Sequence, residues 1–108
     1  MAELYHKSIK VNAPISEAER ACKTICNNAK MVIKDSYSSD TAFFISAAEK
    51  ISWVSTSWPV KLDIKASYHN DSLIIDIASS SPWGSLTQGR ANIQKLDSFV
   101  ESLQAYLG

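Results

Sequence analysis

Cys22 and Cys26 stand four residues apart, the spacing at which two thiols on one helix can share a metal ion. A closed zinc site needs about four ligands, and the only histidines are His6 and His69. Both cysteines also lie on an apolar stripe, where a free thiol packs as a small hydrophobe, so core packing is the favoured reading. A disulfide between them is disfavoured, because side chains one turn apart miss the required geometry. His6 falls on the polar side of an alternating segment, and His69 sits beside Asn70 and Asp71 in a turn. Either could act as a general base only with an oriented partner, and none is visible in the sequence. The chain has no Gly-x-Ser-x-Gly elbow, no Gly-x-x-x-x-Gly-Lys loop and no His-Glu-x-x-His helix. These absences weigh against an enzyme, and neither a catalytic residue nor a metal or other cofactor is expected.

Two further groups could bind a ligand. Trp83-Gly84-Ser85-Leu86-Thr87-Gln88-Gly89-Arg90 leads into the last helix. Free amides and the dipole at a helix N-terminus attract anions, and Arg90 would add a guanidinium. The plainer reading is that Ser85 or Thr87 caps the helix while Arg90 is solvated. Trp53, Trp58 and Trp83 all lie at strand ends or in loops. Tryptophans so placed usually complete the rim of a core; exposed together, they would form an aromatic binding patch.

The elements that would position these residues follow from periodicity. Tyr5, Ile9 and Val11 alternate with His6, Ser8 and Lys10 as in a half-buried strand, which Asn12-Ala13-Pro14 ends. Ile15, Ala18, Cys22, Ile25, Cys26 and Ala29 form a helical stripe, with Asn27-Asn28 as its exit. Met31 to Tyr37 and Thr41 to Ala48 make a hairpin around Ser38-Ser39-Asp40. Ile51 to Val54 reads as a further short strand, and Pro59 belongs at a strand start or edge.

Val60, Leu62, Ile64, Ala66 and Tyr68 alternate with Lys61, Asp63, Lys65 and Ser67, the cleanest strand pattern in the chain. His69-Asn70-Asp71 turns it into a strand carrying Leu73, Ile75 and Ile77. Ser79 to Ser85 reads as a loop. Ile93, Leu96, Phe99, Val100, Leu103 and Leu107 form the second helical stripe. The expected fold is one α+β domain over residues 1–108, in the order β-α-β-β-(β)-β-β-α. An antiparallel sheet of about five strands would carry both helices on one face. The Lys61-Asp63-Lys65 row would then lie on the other face.

Composition narrows the partners. Eleven Lys plus Arg balance eleven Asp plus Glu, so the broad positive field that holds nucleic acid is missing. Hydrophobic residues make up 45% and charged residues 20%, an ordinary globular mixture. No apolar run reaches the roughly 20 residues of a membrane span. With no secretory leader in the chain shown and two cysteines, a cytoplasmic location is the default expectation.

Ser52-Trp53, Ser57-Trp58-Pro59-Val60, Ile77-Ala78-Ser79-Ser80 and Gly89-Arg90-Ala91-Asn92 together resemble a known pattern. It is that of small uncharacterised bacterial domains in which a Ser-Trp-Gly strand start precedes a Trp-Gly-Lys-Asn helix start. The resemblance covers roughly residues 50–107. It departs where Pro59 replaces the glycine and where Gln88, not tryptophan, precedes Gly89. It implies a β-α-β-sheet-α fold in a bacterial protein and carries no activity with it. The functional expectation is therefore a non-enzymatic binding or protein-interaction module. Its partner would be a protein, a small apolar ligand, or a second copy through a sheet edge. The alternative is a small anion-binding domain or enzyme that uses the loop before the last helix.

Overall fold

Alternation and helical periodicity produce five strands and two helices in the computed structural model of the chain. It describes residues 4–50, 60–80 and 86–107, and for Leu4 and residues 86–91 the backbone alone. In chain order the elements are β1 (Leu4–Val11), α1 (Ile15–Asn28), β2 (Met31–Ser38), β3 (Ala42–Glu49), β4 (Lys61–His69), β5 (Ser72–Ser80) and α2 (Leu86–Leu107). The short strand expected at Ile51 to Val54 lies outside the described residues.

Pro14 occupies the N-cap of α1 with φ −60° and ψ 147°, a conformation its ring favours, and its carbonyl accepts from the Ala18 amide at 3.1 Å. Glu19 and Lys23, one turn apart, pair at 3.1 Å on the solvent side. Ala18, Ala21, Cys22, Ile25 and Cys26 form the buried face. The helix does end at the Asn27-Asn28 pair, but the left-handed residue is Lys30, at φ 60°. The Lys30 amide donates to the Asn27 carbonyl at 3.1 Å, and this closes the last turn without an asparagine in that conformation.

The strands form one antiparallel sheet in the order β1-β5-β4-β3-β2. The chain starts at one edge, crosses to the other through α1, and meanders back until β5 lies beside β1. Both helices pack on one face, as the α+β reading expected. Rows of partners run across that face. Ile64 of β4 stands between Ile45 of β3 and Ile77 of β5, and Ala66 between Phe43 and Ile75, with Ile9 of β1 beyond Ile75. Leu96, Phe99, Val100 and Leu103 of α2 close over this surface with the buried face of α1.

The opposite face carries Lys61, Asp63 and Lys65 on β4, as the alternation implied. Asp76 of β5 lies between Lys65 and Ser8 of β1, and the Ser8 hydroxyl donates to its carboxylate. A bulge between Ile33 and Asp35 shifts the register of the β2 edge. Beyond it β2, the edge strand of the sheet, is exposed through Ser38.

Asn70 and Asp71 turn β4 into β5 with φ values of 50° and 67°. Two consecutive left-handed residues are what a type I′ hairpin requires, and glycine suits the second position best. Replacing Asp71 with Gly is expected to stabilise the domain by up to about 1 kcal/mol, seen as a higher urea midpoint. A lower midpoint would contradict the turn assignment.

Two expectations are corrected. Ser79 and Ser80 are not loop but the last residues of β5, paired with Tyr5 and Leu4 of β1. Small polar residues hide a strand from a periodicity reading, yet the backbone ladder continues through them. In α2, Ile93 is 41% exposed while Asn92 is fully buried. The inward stripe is Asn92, Leu96, Phe99 and Leu103, with Val100 beside it. Ile93 sits a third of a turn away from that line.

Candidate functional site

Among the described residues, polar contacts that hold α2 to the sheet include the following three. On one flank Lys7 of β1 meets Asp97 at 2.6 Å, with both side chains about half exposed. On the other flank Lys95 meets Glu49 at 3.0 Å, and these side chains are only 26% and 31% exposed. Residues 95 and 97 lie some 200° apart around a helix, so they reach opposite sides. Between them the Ser79 hydroxyl donates to the Asn92 backbone carbonyl at 3.1 Å, in a fully buried setting. Ser79 and Asn92 belong to two of the segments in the resemblance noted above, so part of that pattern joins helix to sheet.

Glu49 is also tied to the chain that follows it. Its Oε1 accepts from the Val60 amide at 2.9 Å, and the Glu49 amide donates to the Val60 carbonyl at 3.0 Å. One carboxylate thus joins the end of β3, the start of β4 and α2. Removing it would leave a partly buried ammonium without its counter-charge.

Alongside this contact a groove lies between the C-terminal halves of α1 and α2. Its outer part, about 530 Å3 and open to solvent, is lined by Ile25, Asn28, Ala29, Ser102, Ala105 and Tyr106. A smaller recess of about 70 Å3 adjoins it through Ile25, Ala29 and Ser102. Met31, Phe99, Ser98 and Lys95 complete the walls of that recess. The surface is apolar along its length and polar at points: a lysine at the inner end, and serine, asparagine and tyrosine toward the mouth. That is the usual makeup of a site for a small amphipathic molecule.

The residues singled out from sequence are placed as follows. Trp53, Trp58, Trp83 and Ser85 lie outside the described residues. Thr87 and Arg90 are in the first turns of α2, which is already helical at Leu86. Thr87 is therefore inside the helix and not at its cap, because the chain has adopted helical geometry one residue earlier. Cys22 and Cys26 are free and fully buried. Burial pushes both thiols up, Cys26 to about 11; beside Cys22 the Cys26 thiol and Glu19 act in the same direction. These thiols hold their protons and serve as core. His6 lies on the far face of the sheet, 3.6 Å from Asp76, and the Ser8 hydroxyl binds the same carboxylate. The serine therefore donates to the acid instead of to the imidazole, so this trio lacks the serine–histidine contact of a nucleophilic triad. Among the described residues no three metal-ligating side chains converge. None of the described helices is long and apolar enough to cross a membrane.

Glu49, Lys95 and Ser102 were not singled out from sequence. A lysine within a helical pattern reads as solvated surface. Only its approach to Glu49, far away in the chain, marks it.

No protein-family model and no curated protein sequence matches the chain. Among solved structures it is similar to the crystal structure of Ara h 8.0201, with 8% sequence identity and a TM-score of 0.57. That match covers 99% of this chain and 98% of the other. It is also similar to DynU16, a protein of the dynemicin biosynthetic locus, with 16% identity and a TM-score of 0.57. There the match covers 96% of this chain but only 46% of DynU16, so the chain spans about half the length of that protein. At these identities the likeness is one of fold alone, and it extends over nearly the whole of this chain.

Proposed function

We propose that the chain is a non-enzymatic binding module that holds a small, largely apolar molecule in the groove between α1 and α2. The observation that carries this reading is the groove itself: an apolar floor of Ile25, Ala29, Met31 and Phe99 with a partly buried lysine at its inner end. A well-packed pair of helices would close such a gap; an open one next to a charged contact suits a ligand. The resemblance to small bacterial domains adds a bacterial origin to this proposal, and the two free cysteines favour a cytoplasmic setting for it.

Ser102 tests the reading, because it lines both parts of the groove and is exposed on α2. The uncharged fluorophore N-phenyl-1-naphthylamine is expected to brighten on the parent protein. Ser102→Trp should fill the groove and weaken that binding by about tenfold or more, as loss of one well-packed contact surface does. Stability should change by less than about 0.5 kcal/mol, since the site is on the surface. Equal brightening on both proteins would place the probe elsewhere and overturn the reading.

A further inference from the structure

Lys95 and its partner Glu49 set the charge at the inner end of the groove. Lys95 lines the recess, and its ammonium has three donors, of which Glu49 Oε2 at 3.0 Å takes one among the described residues. The other two meet no acceptor among the described residues, and Lys95 forms part of the recess wall. Glu49, however, has already cancelled the lysine's charge. A ligand carboxylate would have to give up water and then sit near Glu49 in a partly buried setting, with no net positive charge to receive it. The C-terminal end of α1, which supplies Asn28 and the Ala29 cap to the groove wall, adds a negative dipole end to the same side. A ligand ammonium fares no better there: it too would give up water, and no carboxylate among the described residues lines the recess to receive it, since Glu49 is held by Lys95 and Val60. An uncharged acceptor escapes both penalties.

We infer that the groove selects uncharged amphipathic molecules. A neutral carbonyl or amide end accepts from Lys95 in the small recess, and the apolar body lies along Ile25, Ala29 and Ser102. Glu49 acts as the selectivity element, because it compensates the lysine without lining the recess itself. This rests on the groove being the ligand site, and it adds the chemical class of the ligand.

The probes are octanamide, octanoate and 1-octanol, titrated by amide NMR shifts at Ala29, Ser98 and Ser102. In the parent, octanamide is expected to bind about tenfold more tightly than octanoate. Glu49→Gln keeps an oxygen to accept from Val60 but removes the charge, so the order should reverse in favour of octanoate. Lys95→Met, which keeps the length and apolar stem of the side chain, should bind octanamide no better than 1-octanol. Octanoate binding as tightly as octanamide in the parent, or an order unmoved by Glu49→Gln, would overturn the inference and leave the groove as a ligand site. Failure of all three probes to shift these amides would remove the ligand site as well.

Discussion

Replacing Ile64 with Ala will cost about 3–4 kcal/mol and lower the melting temperature by more than about 10 °C. Ile64 sits on the central strand, fully buried, with Ile45 and Ile77 directly across from it on either side. Both helices cover this face, so little can collapse into the space the side chain leaves. That places the cost above the lower end of the range for such truncations. Its neighbour Lys65 provides the internal control. It points to the other face, exposed, opposite Phe44 and Asp76, and its replacement by Ala should change stability by less than about 0.5 kcal/mol. A one-residue slip of β4 would exchange the two results, because successive side chains alternate between faces. Calorimetry on the two variants therefore tests the register as well as the packing.

The two cysteines will be silent toward a thiol reagent at pH 8 in the folded protein, and both will react once urea unfolds it. Each is fully buried in the inner face of α1, and burial keeps each protonated. Labelling then proceeds only through unfolding, so its rate falls by the unfolding equilibrium, several orders of magnitude for an ordinary domain. The same burial gives an alkaline limit to stability. Well below pH 9 the thiols are neutral whether folded or unfolded, so this contribution is constant. Above it the unfolded thiols ionise near their ordinary value of 9.0, while folded Cys26 holds its proton to about 11 and Cys22 holds its own further still. The unfolded state then binds fewer protons, and stability falls as pH rises. For Cys26 a gap of that size amounts to about 2–3 kcal/mol by pH 11. Lysines and tyrosines also titrate there, so the measurement is a comparison of slopes. Cys22→Ala with Cys26→Ala should be less stable at neutral pH but lose less between pH 9 and 11. Parallel slopes for parent and double variant would contradict this account.

Much of this core was legible from spacing. Val60, Leu62, Ile64 and Ala66 alternate without interruption, so β4 and its buried face could be read directly. Asn70 and Asp71 announced the hairpin because few other residues tolerate two left-handed positions in a row. The α1 stripe placed both cysteines inside, and the absence of further ligands near them argued for packing. Ala21 was missed, since a small residue beside the stripe looks neutral until a neighbour approaches closely. Ser79 and Asn92 misled in a related way. Each is polar, and each is fully buried because it lies where α2 rests on β5 and the serine hydroxyl meets a helix carbonyl.

The groove was not legible at all. Its walls come from the ends of two helices and the first residue of β2, and none of those positions breaks a local pattern. Neither Lys95, inside a helix, nor Glu49, at a strand end, differs in type or spacing from the other charges of the chain. What the sequence by itself determined was the set of elements and the apolar face of each, because periods of 2 and 3.6 are recorded in neighbouring residues. The strand order, the crossing of α1 from one edge of the sheet to the other, and the meeting of Lys95 with Glu49 were decided only by the tertiary structure. Those depend on which apolar face covers which, and residues distant in the chain settle that through packing that no local pattern encodes.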